Sequence, residues 1–305
     1  MIDILLSTYN GEKYIKELLN SLVNQTCTDW TLIVRDDCST DETVNIINEF
    51  GKKYPGKIII VDNENQNLGS AKSFLSLLQY SNGDLIFFCD QDDVWKNKKL
   101  EEYKKFYDKI DDATERPILV FSDLTVVNSD LEVQEYATKA FNRNKGKNNT
   151  NIKWNILQND VTGCAMMINK NLKDLCLSGL NDLFVIHHDW FLSLIATAVN
   201  GKYYFPYEAI YYRQHENNVV GARKISFIKT LIDLVNHKRR YPYYRQAKSL
   251  LSLNIEFKNE EIHSQIKSFS ELQEKNKFYR VFWHIKNRFL RSGSFINRVY
   301  QLYIC

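Results

Sequence analysis

The chain has 305 residues, 44% hydrophobic and 25% charged, with a net charge of +3 and a mean hydropathy of −0.40. This is the composition of a globular protein with one large domain and an appendage, or two modest domains. No apolar run approaches the ~18 residues of a spanning helix, and neither an internal repeat nor an extended low-complexity segment is present.

Met1 leads straight into the strand-like Ile2-Asp3-Ile4-Leu5-Leu6, leaving no room for a signal peptide. The six cysteines are scattered, without CxxC or His/Cys zinc spacing. Cys89 and Cys164 lie in apolar runs, as small core residues in a reducing compartment do. The expectation is a cytoplasmic protein. Charge is uneven along the chain. From Gly221 onward there are 17 Lys/Arg against 6 Asp/Glu, roughly +11, which leaves roughly −8 on the rest. A basic tail on an acidic body suggests an anionic neighbour for the tail.

The first 130 residues or so alternate short apolar runs with amphipathic stretches. Strands are expected at Ile2–Ser7, Trp30–Arg35, Lys57–Val61, Asp84–Cys89 and Pro117–Val126. Helices are expected at Glu12–Asn24, Asp41–Lys53, Ser70–Tyr80 and Lys96–Lys109. In the first helix Tyr14, Ile15, Leu18, Leu19 and Leu22 share one face, and Asp41 or Thr40 is the expected N-cap of the second. The alternation predicts an α/β fold with a mostly parallel central sheet flanked by helices. Residues 141–151 are polar and aperiodic, and read as a mobile loop. A strand at Val161–Ile168, a helix at Asp189–Val199 and two short aromatic strands, Tyr203–Phe205 and Ala209–Tyr212, follow. From about Ser226 the chain reads as mostly helical.

Chemistry concentrates at the carboxyl ends of the first four strands, where open α/β sheets bind ligands. The first ends in Ser7-Thr8-Tyr9-Asn10-Gly11, a turn whose Tyr9 could stack on a base or simply lie at the surface. The second ends in Arg35-Asp36-Asp37-Cys38-Ser39-Thr40-Asp41. Here Ser39 to Glu42 suit helix capping, while Asp36-Asp37 suit a base N–H or a ribose hydroxyl. The third leads to Asn67-Leu68-Gly69-Ser70-Ala71-Lys72, a small-residue turn that opens a helix and could approach a phosphate. The fourth ends in Asp90-Gln91-Asp92-Asp93-Val94-Trp95. Three carboxylates in four residues at the tip of a buried strand repel one another, so a positive group belongs among them. Mg²⁺ or Mn²⁺ fits oxygen ligands shared with substrate phosphates; a capped polar turn is the alternative.

Order and spacing together resemble the family 2 inverting glycosyltransferases, over roughly residues 1–220. The resemblance rests on Ser7-Thr8-Tyr9-Asn10-Gly11, the Asp36-Asp37-x-Ser39-x-Asp41-x-Thr43 pattern, Asn67-x-Gly69 and Asp90-x-Asp92-Asp93. The form of the last motif is most similar to transferases of bacterial surface polysaccharides, including rhamnosyltransferases. The family implies the Rossmann-like GT-A fold in residues 1–222. It implies that Ser7, Tyr9 and Asp37 meet the nucleobase, that Asp90 lies near the ribose, and that Asp92 holds the metal, with Asp93 close by. It also places Asn67 and Gly69 in the nucleotide site. Many relatives carry Arg where this chain has Lys72, which keeps the charge at the phosphates without the bidentate fork.

An inverting transfer needs a base to take the acceptor proton. By resemblance that base is Asp189 in Val185-Ile186-His187-His188-Asp189-Trp190, beside an aromatic, Trp190, able to face a sugar. On local pattern alone it reads first as an N-cap before an apolar helix, and the resemblance reverses that order. His187 or His188 orients the acceptor or packs. Thr162, in Thr162-Gly163-Cys164-Ala165, forms the pocket floor or packs in the sheet. In Tyr211-Tyr212-Arg213-Gln214-His215 the resemblance implies His215 on the metal and Arg213 at the diphosphate; a polar loop is the alternative.

Residues 223–305 are expected to form a basic helical region. Phe278, Val281, Phe282, Ile285 and Phe289 recur at helical spacing beside Lys277, Arg280, Lys286, Arg288 and Arg291. Such a helix suits an anionic membrane surface or a second copy of the chain; no motif supports nucleic acid. The resemblance implies a nucleotide-diphospho-sugar donor, dTDP-rhamnose first and UDP-hexoses next. It also implies a glycan acceptor, lipid-linked, met at the inner face of the cell membrane. A non-catalytic nucleotide-sugar-binding protein is the alternative from another class.

Overall fold

The computed structural model describes residues 1–62, 64–143, 145–147, 150–179, 183–215 and 243–290. Its first half alternates strands and helices: β1 (Ile2–Thr8), α1 (Ile15–Val23), β2 (Trp30–Asp36), α2 (Thr43–Lys53), β3 (Ile58–Ile60), α3 (Ser70–Leu77) and β4 (Leu85–Asp90). A two-residue β5 (Val94–Trp95), α4 (Lys99–Tyr107), β6 (Leu119–Val127), α5 (Glu135–Asn142) and α6 (Ile152–Asn155) follow. Then come β7 (Met166–Asn169), α7 (Lys170–Leu177), α8 (His188–Ala198) and β8 (Lys202–Arg213). The strands form one mixed sheet in the order β3-β2-β1-β4-β7-β6-β8-β5. β3, β2, β1 and β4 are parallel, as are β6 and β8, while β7 is antiparallel to both its neighbours.

β1, β2 and β4 are covered on both faces, which explains their near-continuous apolar sequences. Successive residues point to opposite sides: Ile4 and Leu6 enter one core with Ile15, Leu18 and Leu22 of α1, and Leu5 enters the other with Phe74, Phe88 and Trp190. The chain turns from β1 toward β2 and later returns to place β4 on the other side of β1. That reversal is the switch point at which the loops diverge and leave a crevice. The register brings Ser7 level with Arg35 and Asp90, so three chemistry-bearing strand ends stop on one line.

Three expected strands differ. The segment at Val161–Ile168 becomes a single 3₁₀ turn, Gly163–Ala165, before the short β7. The carbonyls of Cys164 and Ala165 are taken by Lys99 Nζ and Tyr103 Oη, each at 2.6 Å, so side chains replace ladder partners there. Tyr203–Phe205 and Ala209–Tyr212 are parts of one strand, β8, whose register against β6 slips on either side of Asp123 and so absorbs Pro206. The polar stretch at 141–151 is anchored at Lys145, which is buried. α5, just upstream, is tied to β6 by Asn142 and Thr138 side chains bonded to the Leu124 and Val126 backbone.

Helices α9 (Tyr243–Leu251), α10 (Glu260–Ser270) and α11 (Lys277–Lys286) agree with the expected helical tail. Tyr243, Tyr244, Phe269 and Phe289 share a core with the sheet and α8. The expected division at 222/223 lies outside the described residues. Among the described residues no helix is long and apolar enough to cross a membrane.

Candidate active site

The loops after β1, β2 and β3 are stitched together. Tyr9 exposes half its surface, and its backbone is clamped by the Gln91 amide: Tyr9 N donates to Oε1 at 2.8 Å and Nε2 donates to Tyr9 O at 2.9 Å. Ser7 Oγ donates to Ser73 Oγ at 2.7 Å. Asp36 accepts from Thr8, Ser39 N and the Ser39 hydroxyl, which closes its turn. Asp37 is buried and pairs with Arg35, and it accepts from Leu68 N and Gly69 N, both at 2.8 Å. A carboxylate has about four acceptor positions, so three are spent inside the protein. Asp37, expected to receive a base N–H, instead holds the 66–69 turn against β2, helped by Asn67 Nδ2 donating to Asp37 O. Gly69 has φ 73°, a conformation that side chains disfavour, so the turn needs glycine there. Lys72 is exposed on the first turn of α3.

The Asp90–Asp93 loop follows β4 directly. Asp92 Oδ2 and His215 Nε2 are 2.8 Å apart, although 123 residues separate them in sequence. His215 packs on Tyr14 of the loop before α1, with ring centroids 5.0 Å apart. Asp93 is fully buried; its Oδ1 accepts from Arg213 N at 3.0 Å and its Oδ2 has no hydrogen-bond partner. Burial, followed by the Asp92 charge, raises the pKa of Asp90 and of Asp93. Asp90, Asp93 and Cys164 form a compact set whose donor atoms lie within 4.8 Å of one another. Burial pushes the Cys164 thiol well up, so it stays protonated between the two carboxylates. The positive group demanded by the cluster is in part Lys99, whose field opposes the rise at Asp90. Burial lowers Lys99 itself to about 7.

Arg213, expected at the diphosphate, is turned the other way. It is 1% exposed, and its Nε donates to Asp92 O at 2.8 Å. Its terminal nitrogens bind Ser129 O and the Glu17 carboxylate, and its plane lies over Tyr14. The guanidinium is therefore a brace beneath the Asp92–Asp93 loop.

Asp189 lies in the first turn of α8, where its Oδ1 accepts from Trp190 N at 2.6 Å. Its charge raises the pKa of Asp90, so the carboxylate at the end of β4 and the one that opens α8 lie within electrostatic reach of each other. Trp190 is buried, donates Nε1–H to Asn155 O and stacks edge-on to Tyr243, so it anchors α8 and does not face a sugar. His188 is buried between Phe74 and Phe88, and burial lowers it to about 4, so its imidazole is neutral near pH 7. Gly163 packs against this pair: a Cβ built there would stand 2.7 Å from His188 Nε2 and 3.7 Å from Asp189 Cβ. The neighbouring Thr162 accepts from Lys145 Nζ at 3.2 Å.

Gln91, Lys99 and Lys145 were not singled out by sequence. Lys99 carried a signal, since it shares a helix face with Tyr103 and Tyr107, both buried. Arg35, within an apolar strand, carried another. Lys145, in a polar stretch, carried none.

Residues 3–176 match the family described as Glycosyl transferase family 2. The dTDP-rhamnosyl transferase RfbG of Shigella flexneri is 34% identical over 231 residues, 73% of this chain and 75% of that one. The Escherichia coli UDP-Glc:alpha-D-GlcNAc-diphosphoundecaprenol beta-1,3-glucosyltransferase WfgD is 35% identical over 101 residues, 33% of this chain and 38% of that one. The fold is also that of Staphylococcus aureus TarS in its complex with UDP-GlcNAc, with a TM-score of 0.55 and 21% identity over 88% of this chain and 70% of that one. The strand-end motifs, their order around the switch point and these matches together establish that the chain belongs to glycosyl transferase family 2.

Proposed function

We propose that the chain transfers a sugar, with inversion, from a nucleotide-diphospho-sugar to a hydroxyl of a growing cell-surface glycan, with dTDP-rhamnose as first donor. One observation carries this reading: Asp92 and His215 meet at 2.8 Å on the loop that follows Asp90, which feels the charge of Asp189. The likeness to RfbG over most of both chains supports the choice of donor. The nucleotide lies across the strand ends, with its base near Ser7 and the exposed Tyr9 ring and its ribose near Asp90. The Asn67–Gly69 turn, shaped by Asp37, lines the pocket, and Lys72 is within the helix turn that faces the phosphates. Asp189 accepts the acceptor hydroxyl proton. The oxygen attacks C1 from the opposite face, and the C1–O bond breaks with its electron pair leaving on the nucleoside diphosphate.

The residues fit a hard divalent cation, Mg²⁺ or Mn²⁺. Adjacent ligands on an octahedral ion with bonds of about 2.1 Å stand ~3 Å apart, close to the spacing of Asp92 Oδ2 and His215 Nε2. Asp93 Oδ2, buried without a partner, adds an oxygen on the same loop. When bound, the ion would neutralise charge on the departing diphosphate. The protonated Cys164 makes the deeper Asp90–Asp93–Cys164 set a poorer match.

A lipid-linked acceptor accords with α11. Phe278, Phe282 and Ile285 face outward, 89%, 63% and 54% exposed, on the basic tail of the chain, as suits an anionic bilayer at the inner face of the cell membrane. WfgD is named for a diphosphoundecaprenol acceptor. The two regions, 1–222 and 223–305, then divide catalysis from membrane contact.

The test is Asp189→Asn, assayed for transfer with dTDP-rhamnose and UDP-hexoses and for dTDP binding by calorimetry. Transfer should fall by about 10³-fold or more with binding retained. A fully active Asn variant rejects Asp189 as the base. Absence of transfer by the wild type with every donor rejects the enzyme reading in favour of a nucleotide-sugar-binding protein.

A further inference from the structure

Near Asp189, Thr162 and the middle of β6 carry a second group of buried polar side chains. Two opposite charges lie there without pairing. Lys145 is buried; its Nζ donates to Ser122 O at 3.0 Å and to Thr162 Oγ1 at 3.2 Å. An ammonium carries three donors; Nζ also lies 5.1 Å from the centre of the Phe141 ring, a weak cation–π contact, and among the described residues no oxygen or nitrogen accepts its third N–H. Asp123 follows Ser122 at the point where the β6–β8 register slips. Its Oδ2 accepts from Tyr204 Oη at 2.7 Å, and its Oδ1 is buried with no partner. Lys145 and Asp123 feel each other's charge, yet no ion pair within 4.0 Å joins them among the described residues. Asp189 acts on the same ammonium. Bulges are frequent beside active sites because they re-aim a side chain.

A buried donor and a buried acceptor left incomplete are costly unless something completes them. A sugar hydroxyl donates and accepts at once. We propose that Asp123 and Lys145 form a saccharide subsite beside Asp189, where Asp123 Oδ1 accepts from, and the Lys145 ammonium donates to, hydroxyls of a sugar that takes part in the transfer. This rests on the transferase reading above. The hydroxyls belong either to the donor sugar or to the terminal acceptor sugar.

The experiment compares full-length wild type, Asp123→Asn and Lys145→Met. Asn keeps the shape of Asp123, and Met removes a buried charge, so both should fold; thermal melts check this. Steady-state kinetics use dTDP-rhamnose, with phenoxyundecyl-diphospho-N-acetylglucosamine as acceptor, and with water alone to follow donor hydrolysis. Each variant should raise one KM by about tenfold or more, the loss expected for a hydrogen bond to a charged group. A rise in acceptor KM assigns the subsite to the acceptor; a rise in donor KM, seen in hydrolysis as well, assigns it to the donor. Folded variants with both KM values unchanged overturn the proposal. Saturation-transfer NMR with methyl α-L-rhamnoside and methyl N-acetyl-β-D-glucosaminide gives a readout independent of turnover. A signal present in wild type and lost in both variants supports the subsite even where this donor proves wrong. No signal in wild type, or equal signals in all three, overturns it.

Discussion

Replacing Arg213 by Met tests whether the Asp92–Asp93 loop is held from below. The guanidinium makes two hydrogen bonds to backbone carbonyls, Asp92 O and Ser129 O, each contributing about 1.5–3 kcal/mol because the donor is charged. Its stacking on Tyr14 adds about 1 kcal/mol. The Glu17 partner is 48% exposed, so water screens that pair and it counts for at most about 0.5 kcal/mol. Met fills most of the same volume and relieves the cost of burying a cation, which offsets a few kcal/mol. The net destabilisation should be about 3 kcal/mol, read from urea denaturation with an unchanged m-value. For a chain of this size the melting temperature should fall by roughly 6 °C. The backbone N–H of residue 213 still reaches Asp93, so the loop loosens mainly at Asp92. Mn²⁺ affinity, followed by electron paramagnetic resonance, should therefore weaken by about tenfold or more. A loss below about 1 kcal/mol together with unaltered Mn²⁺ affinity would refute the brace and return Arg213 to the diphosphate.

Chelation by EDTA should stop transfer and added Mn²⁺ or Mg²⁺ restore it, with His215→Ala needing a higher ion concentration for half-maximal rate; full activity in chelator rejects the ion. Lys145 offers a pH test. Burial lowers it to about 8 from 10.5, so between those values the unfolded chain binds the extra proton and stability rises with pH. The penalty is fully present below pH 8, and Lys145→Met should be more stable than wild type there by about 3 kcal/mol. The difference should vanish above about pH 10.5, and a pH-independent gap would count against a charged, buried Lys145. Gly201→Ala should cost about 3 kcal/mol, because a Cβ there would stand 1.9 Å from Pro117 O on the backbone leading into β6. An unchanged melting temperature would show that the strand pair yields.

Much of the architecture was legible because local pattern and fold agree. Apolar runs ended in polar groups, and the helices between them had one apolar face, as α1 shows with Ile15, Leu18, Leu19 and Leu22. Errors arose where a side chain outside the pattern redirected the backbone. Lys99 and Tyr103 took the carbonyls of residues 164 and 165 and turned an expected strand into a 3₁₀ turn. Trp190 turns inward for a simple reason. Adjacent residues on a helix point about 100° apart, so Asp189 can look into the pocket only while Trp190 looks into the core.

Sequence alone determined the alternation of strands and helices in the first half of the chain, the carboxylates at the strand tips and the family. These follow from period-two and period-3.6 patterning and from motif spacing, which are local properties. Tertiary structure alone decided that Asp92 meets His215, that Arg213 braces the loop where a phosphate contact was expected, and that a lysine from a polar stretch stands near Asp123 and Asp189. Those encounters join residues far apart in the chain. They depend on which strand lies beside which and on which buried charge finds a partner, and neither is written in any short window.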